Sequence, residues 1–305
     1  MMQAPKELIP DMSLDGILPI LVLYNSTLEN SSTYRSFLTS SHYCLADQRA
    51  IAVYDNSLVC QVSDSERSQL LAYKHDPNNG GLSAAYNWAL SLALNHGFTW
   101  LLLLDQDSEL PISIVRELKH DAYTYDCCDE VAAVVPHVRD KKVLLSPSRV
   151  KYGRLPAFPL TQAGVSDHQL TAINSGALVR SSFVKSIGGF SSAYPLDSLD
   201  HWLFHQIHMT GKKVAISESV IEHDLSVSDY RRKVSLARYR SILSSEAAFI
   251  TTYKSKAEIP IYLLRLSFQT LKQLLLYRNI KMARLTYALI LDIAAHPSRS
   301  LERGS

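Results

Sequence analysis

The chain has 305 residues, with 31 Lys and Arg against 29 Asp and Glu, and 47% of it is hydrophobic. That is enough to bury a sizeable core, as one large α/β domain with an appendage, and the composition is ordinary for a water-soluble protein. No apolar run approaches the roughly 18 residues of a spanning helix, and the start Met-Met-Gln-Ala-Pro-Lys-Glu has no apolar leader segment, so neither a membrane span nor secretion is expected.

The near-balance of charge hides an asymmetry. Residues 230–305 hold 14 basic and 4 acidic side chains, about +10, whereas residues 1–229 hold 17 and 25, about −8. Cys44, Cys60, Cys127 and Cys128 lack CxxC spacing, which fits reduced cytosolic thiols rather than a metal clamp.

In chain order, Ile17–Leu23 reads as a strand, with Pro19 tolerated near its start and Tyr24-Asn25-Ser26 as the loop at its carboxyl end. A helix is expected over about 28–40 and a second strand over 50–54, ending in Asp55-Asn56-Ser57. A short third strand at 71–74 runs into His75-Asp76-Pro77-Asn78-Asn79-Gly80-Gly81, a loop signal. The spacing predicts a helix over 82–96, stopped by Gly97. Phe-Thr-Trp-Leu-Leu-Leu-Leu at 98–104 then has no polar face, so it reads as a central strand buried on both sides. A helix over 112–124 and a strand over 131–135 complete a βαβαβ alternation, which implies a mostly parallel sheet covered by helices.

Residues 137–170 read as long loops. A strand over 173–179 contains Asn174-Ser175-Gly176, and a helix over 183–187 stops at Gly188-Gly189. An acid-rich loop over 194–200 leads to a helix ending near 210 and a strand over 213–216. A basic helix over 230–252 and two amphipathic helices, 261–277 and 281–295, finish the chain.

Polar groups collect at the strand ends: Asn25, Asp55 with Asn56, Asn79 with Gly81, then Asp105 and Asp107. Ligands of open α/β sheets sit outside the carboxyl ends of the strands. Two acids at i and i+2 on an extended chain point the same way and suit a hard divalent cation that holds phosphate oxygens. Gly80 and Gly81 permit close backbone approach at a helix start, whose positive end favours phosphate. Neither a G-x-G-x-x-G fingerprint nor a P-loop is present, so dehydrogenase, kinase and ATPase readings lose their best marker. His201 and His205 are an i,i+4 pair without the Glu of a zinc-protease motif, which argues against zinc.

These segments resemble glycosyltransferase family 2. Val53-Tyr54-Asp55-Asn56-Ser57 is similar to its V-D-N-x-S signature, and Asn79 to Asn87 to its N-x-G-x-[AGS]-x-A-x-N segment. Asp105-Gln106-Asp107-Ser108, Asn174-Ser175-Gly176 and Gly188-Gly189-Phe190 resemble the D-Q-D-S, N-S-G and G-G-F elements of its rhamnosyltransferase-like branch. The resemblance runs from about residue 17 to 226 and implies a GT-A fold, a mostly parallel central sheet with helices on both faces, over residues 1–229, followed by a C-terminal helical region over 230–305.

The same resemblance implies metal-dependent, inverting transfer of a sugar from a nucleotide-diphospho-sugar. Asp55 would contact the nucleoside, with Tyr24, Asn25, Asn56, Asn79, Gly81, Asn87, Gln106, Asn174, Ser175 and Gly176 around the donor. Asp107 and His223 would hold Mn²⁺ or Mg²⁺, and Asp105 would contact ribose or metal. Asp200, eleven residues before Gly211, is the expected base that takes the acceptor proton, with Asp197 as its rival. The donor implied is dTDP-linked rhamnose or another deoxyhexose, with a UDP-hexose as the alternative. The acceptor implied is a lipid-linked saccharide of O-antigen or capsule assembly. A non-catalytic sugar-nucleotide or glycan-binding homologue and a nucleotidyltransferase are the competing readings. Trp88, Trp202 and His205-Gln206 depart from the family pattern and are expected to shape the acceptor side and the diphosphate contacts.

The basic tail, with Arg231-Arg232-Lys233, Arg238, Arg240, Arg265, Lys272, Arg278, Lys281 and Arg284, suits the cytoplasmic face of an anionic membrane. Simple packing of these helices on the catalytic domain is the alternative. No nucleic-acid-binding motif accompanies the charge, so nucleic acid is not an expected partner.

Overall fold

The computed structural model describes residues 16–42, 51–141, 143–150, 158–223 and 234–295, with the backbone alone at 41, 42 and 223. The first half alternates as the hydrophobic pattern requires: β1 (Ile17–Leu23), α1 (Ser32–His42), β2 (Ala52–Asp55), α2 (Asp64–Arg67), β3 (Ala72–His75), α3 (Gly81–His96) and β4 (Trp100–Leu104). All four strands pair in parallel, in the order β3-β2-β1-β4. Gly97, at φ 79°, ends α3 with a left-handed cap, as its position implied.

The chain continues through β5 (Ser108–Glu109), α4 (Ile114–Tyr125) and β6 (Val131–Asp140). The stretch expected as loops holds short strands instead: β7 (Val143–Ser146), β8 (Ser148–Arg149), β9 (Phe158–Pro159), β10 (Gly164–Ser166) and β11 (Leu170–Thr171). Pieces of two to four residues carry no readable periodicity, because their pairing comes from the neighbouring strand. Then follow β12 (Ala177–Arg180), α5 (Ser181–Ser186), α6 (Leu199–Met209) and β13 (Lys213–His223). β12 lies antiparallel between β4 and β6, and β13 runs parallel to β6. The expected α/β sheet is therefore parallel on one side and mixed on the other.

Two strand boundaries differ from expectation, for local reasons. Asn174-Ser175-Gly176 forms the turn into β12 rather than part of it: Gly176 stands at φ 76° and donates its N–H to Leu103 O. β13 runs seven residues past Ile216 through a register shift between Ile216 and Val220. The polar run Ser217-Glu218-Ser219 breaks the apolar pattern there, with Ser217 Oγ donating to Asp121 Oδ2 at 2.6 Å.

The four leucines explain how the layers meet. Leu101 and Leu103 enter a core shared with α3, α5 and α6, while Leu102 and Leu104 enter the opposite core, against α1 and α4. All four are fully buried.

The tail forms α7 (Leu236–Tyr253), α8 (Glu258–Leu275) and α9 (Ile280–Ala295). The expected boundary at 229/230 lies outside the described residues. Leu243, Ala247, Phe249 and Ile250 of α7, Tyr262 and Leu266 of α8 and Ile293 of α9 belong to the same core as Leu101 and Leu103. Tyr239 Oη ties the three helices together: it receives Nε2–H groups from Gln269 and Gln273 and meets Thr286 Oγ1 at 2.7 Å. Among the described residues, no helix is long and apolar enough to cross a membrane.

Because Leu103 is enclosed on every side, Leu103→Ala is expected to cost about 3 kcal/mol, read as a lower midpoint in urea unfolding.

Candidate active site

At the carboxyl end of β4 the chain bends, and the two acids of D-Q-D-S part company. Asp105 is half-buried and Asp107 is exposed, so they do not share one extended face. Asp105 Oδ1 accepts hydrogen bonds from Ser108 Oγ and Ser175 Oγ, both at 2.7 Å. This joins D-Q-D-S to N-S-G across 70 residues of sequence. Hydroxyls of the α1 entry hold the loop: Ser31 Oγ donates to Gln106 O at 2.8 Å, and Thr33 Oγ1 to Ser108 O at 3.0 Å. The Gln106 amide clips onto Tyr24, accepting from its N–H at 2.8 Å and donating to its carbonyl at 3.3 Å. Tyr24 and Asn25 are exposed there, with Asn25 at φ 51° and its N–H on Ser57 Oγ.

The next loops are built around their own polar groups. Asp55 is fully buried, and its carboxylate accepts from Ser57 N–H, Gln61 N–H and Tyr73 Oη. The structure thus seals the carboxylate expected to meet the nucleoside. Asn56 Oδ1 accepts from Gly81 N–H at 3.3 Å, and Asn79 stands at φ 53° just before it. Asp76, which sequence reasoning passed over, organises the entry to α3 by accepting from Tyr54 Oη, Gly80 N–H and Asn78 N–H. Burial opposes ionisation of Asp76, but those hydrogen bonds outweigh it and hold the carboxyl below its ordinary value. A side chain on Gly81, at φ 77°, would put Cβ 2.3 Å from Pro195 O, so only glycine lets the 191–198 loop dock on α3. Asn87 clamps the G-G-F turn, donating to Phe190 O and accepting from Phe190 N–H, each at 2.8 Å.

Between these loops, α6 and α7 lies a cleft of about 330 Å³. Tyr86, Asp105, Asn174, Ser175, Asp200 and Glu246 of α7 are among the residues that line it. Asp200 lies in the first turn of α6, where a carboxylate also suits the helix dipole, and its Oδ1 accepts the His201 N–H at 2.7 Å. Tyr86 is buried, and its phenol is pushed up by that burial and by the nearby charges of Asp105 and Asp200. Asp197 also touches the cleft but is engaged elsewhere. Both its oxygens lie 2.7 Å from Arg238 guanidinium nitrogens, and Ser241 Oγ donates to it at 3.1 Å. Burial raises the Asp197 carboxyl, and Arg238 offsets this only in part. Ser198, between the two acids, takes the left-handed conformation at φ 63°, a strained position for a residue with a side chain.

Glu246 pairs with Arg265 of α8 at 2.6 Å. Two tail cations, Arg238 and Arg265, therefore turn inward onto carboxylates at the cleft. Nothing local in the sequence marks Glu246, since its role depends on how α7 lies across the sheet. Trp88 and Trp202 are not among the residues lining the cleft. Trp88 packs edge-on to Tyr54 with centroids 5.7 Å apart, and Trp202 is buried in the core. His201 Nδ1 meets Thr171 Oγ1 at 2.7 Å, and His205 packs against Phe249 and Tyr253.

Among the described residues, no group of three or more His, Cys, Asp or Glu is placed to hold a metal ion. Asp105 and Asp107 remain the residues that would hold a divalent cation, because Mg²⁺ is commonly bound through one or two carboxylates with phosphate oxygens and water completing the shell. His223 pairs through its backbone with Ser108, which brings that position beside D-Q-D-S; its side chain lies outside the described residues.

No protein-family model and no curated protein matches the chain. Its fold has solved counterparts. The crystal structure of S. aureus TarS 1-349 in complex with UDP-GlcNAc matches at a TM-score of 0.50 and 12% identity, over 92% of this chain and 91% of that one. The chain shares the TarS fold. TarS 1-349 without ligand gives 0.47 at 13% identity, covering 95% and 92% of the two chains. Against the longer TarS structure the TM-score is 0.48 at 15% identity, and this chain spans 56% of its length. The likeness is one of fold, and it includes the expected central sheet and C-terminal helices.

Burial lowers the His205 imidazole from 6.5 to about 4, so the folded protein holds it neutral while the unfolded chain protonates below 6.5. Its contribution to stability is complete above pH 6.5 and is lost as pH falls toward 4. His205→Phe, which keeps an aromatic ring on Phe249 and Tyr253, is expected to flatten the fall in melting temperature between pH 6.5 and 4.

Proposed function

We propose that the protein is a metal-dependent, inverting glycosyltransferase that moves a sugar from a nucleotide-diphospho-sugar to a saccharide acceptor. The observation that carries this reading is the meeting of Asp105 and Asp200 in one cleft at the carboxyl end of the central strand, the place where an open α/β sheet takes its ligand. The fold shared with a structure solved with UDP-GlcNAc supports it.

In this reading Asp200 takes the proton of the acceptor hydroxyl as its oxygen attacks C1 of the donor sugar; the C1–O bond breaks and the nucleoside diphosphate leaves. Asp200 is preferred over Asp197 because the Asp197 carboxylate already meets Arg238 in a bidentate pair. Asp107 and Asp105, with His223, would hold Mn²⁺ or Mg²⁺, which when bound supplies positive charge to the departing diphosphate. Tyr24, Asn25 and Gln106 would contact the nucleotide. Asn174, Ser175 and Gly176 would face the donor sugar, and Asn56, Asn79, Gly81 and Asn87 shape the loops behind it. Asp55 acts in this reading through the loop it braces. The sugar proposed is rhamnose or another deoxyhexose from dTDP, with UDP-hexose as the alternative, and the pathway is surface-polysaccharide assembly.

A lipid-linked acceptor places the protein at the inner face of the cytoplasmic membrane, and α8 and α9 offer a surface for it. Leu264, Phe268, Leu271 and Leu275 form an exposed stripe on α8, continued by Ile280, Tyr287 and Leu291 on α9. Lys272, Arg278, Lys281 and Arg284 are exposed around it, with no acid between Glu258 and Asp292. Apolar side chains ringed by cations complement an anionic lipid surface.

Incubation with dTDP-, UDP- and GDP-sugars plus Mn²⁺ or Mg²⁺ is expected to release nucleoside diphosphate with one donor. Asp107→Ala and Asp200→Asn should each lower turnover by about 100-fold or more while melting as the wild type. Failure of every nucleotide sugar to bind or react would sink the proposal. For the surface, sedimentation with phosphatidylglycerol-containing vesicles is expected for the wild type and lost in the doubly substituted Phe268→Glu, Leu271→Glu protein. Equal sedimentation of the two, or a change from dimer to monomer without lipid, would overturn the membrane assignment.

A further inference from the structure

The first turn of α6 sets an imidazole beside the carboxylate that the transfer reading makes the base. His201 follows Asp200 directly, both line the cleft, and their side chains are 25% and 27% exposed, within reach of an incoming molecule. His201 Nε2 stands 3.9 Å from Asp200 Oδ1, the same oxygen that accepts the His201 backbone N–H at 2.7 Å. The other ring nitrogen, Nδ1, meets Thr171 Oγ1 at 2.7 Å. Thr171 belongs to β11, which pairs with β8, and leads into Ile173, Asn174 and Ser175 of the same cleft. The ring also packs against Phe249 of α7, with centroids 6.0 Å apart. An imidazole held on one nitrogen by a hydroxyl and flanked by an aromatic ring turns little, so Nε2 stays near the carboxylate. Both polar contacts select one tautomer. A carboxylate beside Nε2 favours a proton there, and Nδ1 is then the acceptor for the Thr171 hydroxyl.

We propose that His201 is the positioning residue for Asp200, and that Thr171 holds it in the required orientation and tautomer. The proposal rests on the glycosyl-transfer reading and goes beyond it by assigning the groups that aim the base. Oδ1 is restrained by the backbone N–H and the ring Nε2–H of His201, which limits rotation of the carboxylate and keeps it presented to the cleft. A general base oriented by a further group in this way enters the reaction already aligned. In the transfer step the proton passes from the acceptor oxygen to Asp200, and the imidazole begins and ends with its own proton on Nε2. The sequence marks neither partner, because Thr171 and His201 meet across 30 residues of chain.

Side-chain amides separate the two ring nitrogens. In His201→Gln the amide reaches the Nε2 position, whereas in His201→Asn it reaches only the Nδ1 position beside Thr171. With the donor that the wild type turns over, H201N is expected to lose about tenfold in kcat with the donor KM unchanged, and H201Q to recover most of it. Thr171→Val, which removes the hydroxyl at nearly constant shape, should lower kcat about threefold, and Thr171→Ser should restore it. If H201N melts well below the wild type, the T171V and T171S pair supplies the comparison. Full activity in H201N with loss in H201Q would reduce the contact to a brace between β11 and α6 and overturn the proposal, as would unchanged kcat in both. Long-range ¹⁵N–¹H spectra of the histidine-labelled full chain at alkaline pH read the ring without turnover, with H201N identifying its signals. The Nε2–H tautomer is expected in the wild type and a mixture in T171V; an Nδ1–H tautomer in the wild type would overturn the proposal whatever the activity. Release from no nucleotide sugar, with the Nε2–H tautomer present, defeats the transferase reading and leaves the Thr171–His201–Asp200 arrangement standing.

Discussion

A strand that is apolar on both faces can meet water only at its ends, and much of this structure follows from that constraint on β4. Leu101 and Leu103 bind the sheet to α3 and α6, and Leu102 and Leu104 bind it to α1 and α4, so the strand is fixed in the middle of two cores. Full burial of a leucine contributes about 2–3 kcal/mol each, which makes slippage of this strand expensive. The first polar residue after it, Asp105, is therefore delivered to one place. Ser175 meets it there because β12 lies antiparallel beside β4, with Ala177 opposite Leu103.

The second organising feature is the way the tail closes the cleft. Its cations suggest an outward basic surface, and Lys272, Arg278, Lys281 and Arg284 are exposed. Arg238 and Arg265 do the opposite, each meeting a carboxylate that lines the cleft. Breaking either partly buried pair would leave a charge without its partner, so these contacts fix how α7 and α8 sit against the sheet. Through Asp197 and Arg238 the acidic front and the basic tail of the sequence meet at the site. The division into a catalytic domain and an appendage is a division of sequence character rather than of core.

Several motif residues turn out to hold the scaffold. Asp55 spends its carboxylate on Ser57, Gln61 and Tyr73, and Asn87 spends its amide on Phe190. Gly81 is required by its close approach to Pro195. A residue at a strand end can serve a ligand or brace the loop that serves it. Sequence position does not separate the two, because both place a polar side chain at the same sheet edge.

The sequence by itself determined β1 to β4, α1, α3, α4 and β6, the burial of β4, the cap at Gly97 and the gathering of polar residues at one sheet edge, since all of these follow from local periodicity and backbone chemistry. It also marked Asp105, Asn174 and Asp200, now found around one cleft. Tertiary structure alone decided the antiparallel insertion of β12, the short strands between 143 and 171, the engagement of Asp197 by Arg238 and the arrival of Glu246 at the cleft. Those depend on contacts between segments far apart in the chain, 41 residues for Asp197 and Arg238. A pattern of local preferences holds no record of which distant side chain will neutralise a buried charge.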